Sequence, residues 1–174
     1  MDNGTPSAAA IFDRHHRAVY RYLRRIVGNS GAAEDLTQEV FLRVVRGLGA
    51  YSHDGREAAW VFQIARNLAL NALRDRGRRP VATQPEVVSE PSARASQALT
   101  LDLDRALSTL AFDDRECFLL RELGGLSYAE IGAVCALTPD AVRSRIHRAR
   151  LALREALAQT ESARPGRRAI ERTS

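Results

Sequence analysis

Apolar residues recur every three or four positions along most of this chain, broken by short polar stretches, and that spacing predicts helices throughout. Over residues 8–27, Ile11, Val19, Leu23 and Ile26 mark an apolar edge, with Arg14, Arg17, Arg21, Arg24 and Arg25 around it. The run Gly28-Asn29-Ser30-Gly31 ends that helix. A second helix is expected over about 32–46, with Leu36, Val40, Phe41 and Val44 facing inward. A loop from Gly47 to Gly55 holds Tyr51 and His53, and a third helix follows over about 57–76. The pattern resumes at Leu99 as four helices near 99–110, 113–123, 127–136 and 138–159. No alternating pattern is strong enough for a strand. The expected fold is all-α, with two small helical domains at 8–79 and 99–159. Residues 80–98, with Pro80, Pro85 and Pro91 and few apolar positions, read as a flexible linker. Residues 160–174, with Pro165-Gly166 and four arginines across the tail, read as a disordered end.

The segment from Gly125 to Arg150 carries the most information. Leu126, Ile131, Val134, Leu137, Val142 and Ile146 are spaced so that two short helices bury one shared seam. Thr138 is a good cap for the second helix, and Pro139 sits at its first position, where a helix tolerates proline best. A stripe of Val142, Ile146, Ala149, Leu153 and Leu157 faces inward, while Arg143, Arg145, Arg148 and Arg150 stand clear of the seam. Asp140, Arg143, Ser144, His147 and Arg148 are exposed in the first turns. This is the layout of a helix-turn-helix whose second helix enters the major groove of DNA.

The third helix is two-sided. Val61, Ile64, Ala65, Leu68, Ala69 and Ala72 fill one side, and Trp60, Gln63, Arg66, Asn67, Asn71 and Arg74 gather on the other. A face of Trp, amides and arginines suits phosphates, base edges and stacking on unpaired bases, and it also suits a solvated polar face with a half-buried Trp. On the second helix, Glu34, Asp35, Gln38, Glu39 and Arg43 make an acidic, amide-bearing face in a basic domain. Acids at a helix start complement its dipole, which accounts for Glu34 and Asp35. Gln38 and Glu39 lie beyond that effect and fit a docking surface for a protein.

Charge placement adds to this picture. All 26 basic residues are Arg, against 21 acids. Residues 1–79 hold 13 Arg and 8 acids, and residues 143–154 hold 5 Arg and no acid. Residues 80–142 between them hold 4 Arg and 10 acids, so two basic zones flank an acidic middle, as two contacts with a polyanion require. The absence of Lys itself is what a GC-rich genome writes. Cys117 and Cys135 have no CxxC or His partner and read as reduced core residues. His15, His16, His53 and His147 lack the spacing of a metal or catalytic group, and no phosphate loop or nucleophile elbow occurs. Neither an enzyme nor a cofactor is expected. With no signal peptide and no apolar run long enough to insert into a membrane, the expected location is the cytoplasm.

The stretch Asp35-Leu36-Thr37-Gln38-Glu39-Val40-Phe41-Leu42-Arg43, then Ala59-Trp60-Val61-Phe62-Gln63-Ile64-Ala65-Arg66-Asn67, then the helix-turn-helix, resembles bacterial extracytoplasmic-function (ECF) sigma factors in motif order and spacing. The resemblance covers about residues 8–159. It implies a dissociable initiation subunit of RNA polymerase whose two domains correspond to regions 2 and 4. Asp35, Gln38, Glu39 and Arg43 would dock on the coiled coil of the core polymerase β′ subunit. The loop Leu48–Arg56 and the following helix would melt and read the −10 element of promoter DNA through Tyr51, Trp60, Gln63, Arg66, Asn67, Asn71 and Arg74. Asp140, Arg143, Ser144, His147 and Arg148 would read the −35 element while their domain sits on the β flap. The linker would thread toward the polymerase active-site channel, and an anti-sigma factor is a common partner in the family. Asn71 stands where the family often has an acid, and Asp140 where it often has Gly. A carboxylate there repels phosphate but accepts from a cytosine amine, which leaves the upstream sequence open. The alternative is a stand-alone helix-turn-helix regulator whose first domain senses a ligand or protein.

Overall fold

The computed structural model describes residues 6–52, 55–78 and 94–163, and all its regular structure is helical among these residues. Helices α1 (Ala8–Val27), α2 (Ser30–Gly47) and α3 (Glu57–Arg78) form the first half, with a 3-10 turn at Leu48–Ala50. Helices α4 (Arg94–Thr109), α5 (Phe112–Glu122), α6 (Tyr128–Cys135) and α7 (Pro139–Ala163) form the second. Helix α4 begins at Arg94, so the last positions assigned to the linker are helical. Residue 79, the linker positions 80–93, the tail beyond 163 and His53 lie outside the described residues.

Local chemistry fixes the helix ends. Ser7 and Asn29 cap α1 and α2 by accepting from the backbone amides of Ala10 and Ala32. Gly28 closes α1 in the left-handed region at φ 71°, its amide donating to the Arg24 carbonyl. Glu57, in the first turn of α3, pairs with Arg14 at 3.0 Å and contacts His15 at 2.8 Å, and so fixes where α3 starts against α1. At the other end of α3, Arg76 donates to the Val27 carbonyl at 2.6 Å.

The expected inward positions are buried: Ile11, Val19, Leu23, Ile26, Val40, Phe41, Val44, Val61 and Leu68 in the first half, and Leu126, Ile131, Val134, Val142, Ile146, Ala149 and Leu153 in the second. Leu36, Ile64 and Leu157 are partly buried against them. The two halves are in contact. Within the first half, Tyr22 of α1 and Phe62 of α3 meet edge to face with ring centroids 5.5 Å apart, both fully buried. Phe62 also abuts the α5–α6 turn at Gly124. Burying each of these rings contributes roughly 2–3 kcal/mol. A side chain on Gly124 would put its Cβ 2.7 Å from the Leu120 carbonyl oxygen and 3.2 Å from Phe62, so only glycine lets the turn come this close.

The turn of the helix-turn-helix is equally tight. Ser127 and Glu130 form a reciprocal capping box at the start of α6. Arg121 donates to the Leu126 carbonyl at 2.7 Å across the preceding turn. Helix α6 ends at Ala136 in the left-handed region at φ 56°, a conformation that costs a non-glycine residue about 1–2 kcal/mol. A Cβ on Gly132 would lie 2.7 Å from the Leu137 carbonyl oxygen. Ala136→Gly is therefore expected to raise stability by roughly 0.5–1 kcal/mol, and Gly132→Ala to lower it by about 1–3 kcal/mol. Chemical denaturation followed by circular dichroism checks both signs.

Candidate nucleic-acid interface

Three surfaces predicted from sequence appear as faces of α2, α3 and α7. On α2, Asp35 and Gln38 are exposed, and Arg43 pairs with Glu39 at 2.7 Å along the helix. Beside them Leu42, Val45 and, from α1, Phe12 are exposed apolar side chains; Phe12 stacks on His16 and meets Phe41 edge to face. The sequence reading took the face as polar and missed this apolar part. The signal was present in Leu42 and Val45, which fall outside the buried stripe of Val40 and Val44.

At the start of α3, Tyr51 and Trp60 stack with centroids 4.4 Å apart and planes 18° from parallel. The 3-10 turn thus carries Tyr51 back onto the helix. Gln63 donates to Asn67 at 3.2 Å, and Arg74 to Asn71 at 2.6 Å. The structure brings Tyr51, Trp60, Gln63, Asn67, Asn71 and Arg74 along one face. It sets Arg66 apart from them, because its guanidinium turns toward the second half and is only 19% exposed.

There it meets Glu116 of α5, whose side chain is 3% exposed. Arg66 Nε and Nη2 donate to the two carboxylate oxygens at 3.0 and 3.2 Å. The Tyr22 hydroxyl donates to Glu116 Oε1 at 3.3 Å, and the Cys135 thiol lies 3.6 Å from Oε2. Four helices, α1, α3, α5 and α6, thus converge on one buried carboxylate. Burial, and then the Glu116 charge, push the Tyr22 phenol well above its ordinary range, so it remains a donor. Burial opposes the charge on Arg66, but Glu116 outweighs it and holds the guanidinium protonated. The hydrogen bond to Cys117, with burial and Glu116 behind it, pushes the Cys135 thiol up.

A cleft of about 810 Å³ separates the Tyr51–Trp60 stack and Gln63 from Ala129, Glu130 and Ala133 of α6. On α7, the Thr138 hydroxyl accepts from the Ala141 amide at 3.2 Å and sets the helix start. Arg143 donates to Asp140 at 2.9 Å and lies 5.9 Å from the Tyr128 ring centroid. Ser144 bonds back to the Asp140 carbonyl, and His147 is exposed. Arg148 is held in two parallel bonds by Asp114 of α5, at 2.9 and 2.7 Å. Arg145 pairs with Asp113 at 2.6 Å, and Arg150 with Glu122 at 2.8 Å. The acids of α5 therefore draw one side of the arginine row onto the protein and leave Arg143, Ser144 and His147 outward at the helix start. Among the described residues no group of His, Cys, Asp and Glu is arranged to hold a metal ion, and no helix is long and apolar enough to cross a membrane.

Comparison with known proteins matches residues 11–79 to Sigma-70 region 2 and residues 100–153 to Sigma-70 region 4. RNA polymerase sigma factor CarQ of Myxococcus xanthus is 37% identical over 155 residues, covering 87% of this chain and 89% of its own. ECF RNA polymerase sigma factor SigE of Mycolicibacterium smegmatis is 38% identical over 165 residues, and the alignment covers 90% of this chain but 64% of that longer one. Among solved structures, the sigma factor RpoE in complex with the anti-sigma factor NepR from Bartonella quintana superposes with a TM-score of 0.75 at 27% identity, covering 84% of this chain and 94% of its own. With both regions matched in order and relatives aligned over most of their length, the chain belongs to the ECF sigma factors of the sigma-70 family.

Proposed function

We propose that this chain is an alternative sigma subunit that binds core RNA polymerase and directs it to promoters, where it recognises and melts DNA, with no chemistry of its own. The observation that carries the reading is that both halves match the two promoter-recognition regions in the family's order, each built on a polar helix face with an outward cluster of donors. The α2 face with Asp35, Gln38, Glu39 and Arg43, flanked by Leu42 and Val45, is the docking surface for the β′ coiled coil. Its mixed apolar and charged make-up is typical of a protein interface. The second half sits on the β flap. The protein works in the cytoplasm, where polymerase and promoter are. The related Bartonella factor is bound by an anti-sigma factor, and a negative regulator of that kind is proposed here.

Strand separation costs stacking and pairing. The aromatic pair Tyr51–Trp60, with Gln63, Asn67, Asn71 and Arg74 beside it, offsets that cost by stacking and phosphate contacts on the exposed strand. Arg66 joins this face once its guanidinium leaves Glu116. At the upstream element, Asp140, Arg143, Ser144 and His147 face base edges, while Arg148 is braced by Asp114 and meets phosphate. Two modest contacts on one chain become a strong one when polymerase fixes their separation.

Purified core polymerase with this protein is expected to give promoter-specific transcripts that neither gives alone, and the protein alone to give little specific gel shift. A tight specific shift without polymerase and no gain in initiation would identify a stand-alone regulator instead. Within the upstream element, Arg143→Ala should cost about 1–3 kcal/mol at one base pair and relax preference there. Arg148→Ala should weaken all promoters alike and reduce the salt slope by about one counter-ion. Quantitative binding of polymerase holoenzyme to base-substituted promoters separates the two. Trp60→Ala should leave closed-complex binding near wild type and impair opening, read by permanganate reactivity of unpaired thymines.

A further inference from the structure

We propose that a cavity lined by α1, α4 and α5 binds a small phosphate monoester with an apolar ring body and a hydrogen-bond donor, the class to which nucleoside monophosphates belong. The cavity measures about 330 Å³, the lower end of the range for small-molecule sites, and no residue assigned to polymerase or DNA lines it. Its charge is unbalanced. Arg24, Arg25, Arg105 and Arg115 share the lining with a single carboxylate, Asp104. Asp104 already serves two of them, Arg24 at 3.2 Å and Arg25 at 3.0 Å. Among the described residues no carboxylate pairs with Arg105 or Arg115.

Among the described residues, two buried polar atoms of this lining lack hydrogen bonds, one donor and one acceptor. The donor is Arg115 Nε, whose guanidinium carbon lies 5.8 Å from the Phe112 ring centroid. The acceptor is Asp104 Oδ1, which meets Arg25 as a charge contact only. Burial pulls the pKa of Arg115 below the ordinary arginine range, and it does the same to Arg25. A desolvated cation without a counter-ion gains more from an incoming anion than a solvated one does. A phosphate monoester carries roughly −1.5 to −2 charge at neutral pH and suits the guanidinium fork, so it meets the excess better than one carboxylate does. Much of the remaining lining is apolar, with Ile26, Val27 and Leu107 all buried. Inorganic phosphate would leave those side chains uncovered, and a sugar phosphate would set hydroxyls against them without partners. A nucleobase covers them, and a ribose hydroxyl or base amine supplies the donor that Asp104 Oδ1 lacks.

The test is isothermal titration calorimetry on the full chain, with each ribonucleoside monophosphate, glucose 6-phosphate and inorganic phosphate as probes. At least one nucleotide should bind saturably, and about tenfold or more tighter than either control. Arg115→Met should weaken that binding about tenfold or more, because a charged hydrogen bond is lost. The same change should raise the thermal midpoint, since it removes a desolvated charge and keeps apolar contact with Phe112. A merely structural arginine would instead lower the midpoint on removal. Arg105→Ala, at an exposed position that does not endanger the fold, should also weaken binding. Arg17→Ala makes the same charge change on exposed α1 surface outside the cavity and should leave affinity unchanged. Absence of saturable binding by every nucleotide overturns the site, as does a nucleotide that binds no tighter than inorganic phosphate or glucose 6-phosphate. Affinity unmoved by both Arg115→Met and Arg105→Ala, or weakened equally by Arg17→Ala, overturns it as well.

Discussion

A single buried carboxylate organises the contact between the two halves of this protein. Glu116 is nearly inaccessible, and a charge in that position is tolerated only when its lone pairs are filled by strong donors. The donors come from α1 and α3, so satisfying Glu116 requires the halves to sit together in one register. Apolar packing, such as Phe62 against the Gly124 turn, is non-directional and sets no charge orientation. The Arg66 fork does, since its two bonds to one carboxylate define an orientation as well as a distance.

Opposite-charge pairing between α5 and α7 shapes the arginine row of α7. The acidic middle of the chain sits where α5 runs beside α7, and Asp113, Asp114 and Glu122 each take one arginine from the basic row. These pairs are exposed or partly so, and each contributes little to stability. Their effect is on direction. They sort one row into arginines bound to the protein and an outward group at the helix start, where the Thr138 cap and Pro139 set the register of every following side chain.

Much of this was legible in the sequence, for a definite reason. Helix positions, the buried stripes and the capped start of α7 follow from periodicity and from residues whose local chemistry is strong, such as Gly28, Asn29 and Thr138. The aromatic and amide face of α3 followed from the same arithmetic. What the pattern could not reveal is what covers a face. Tyr22 and Phe62 look like ordinary core residues, and Glu116 like any helical acid; only tertiary contact makes them a junction. Arg66 shows the difference well: periodicity placed it on the polar face, but a partner fifty residues away decides where its charge goes. Leu42 and Val45 were missed because apolar residues next to a buried stripe pass as part of it.

Linkage gives the junction a further property. Any ligand that binds only the open form spends part of its binding free energy on separating the halves, and any ligand that binds the closed form strengthens their contact by the same amount. On the proposed reading, polymerase engages α2 and the second half at once, so its affinity depends on how the two halves sit relative to each other. An inhibitor therefore has two routes. It can cover the α2 face directly, or it can bridge the closed halves and touch no polymerase-binding residue at all.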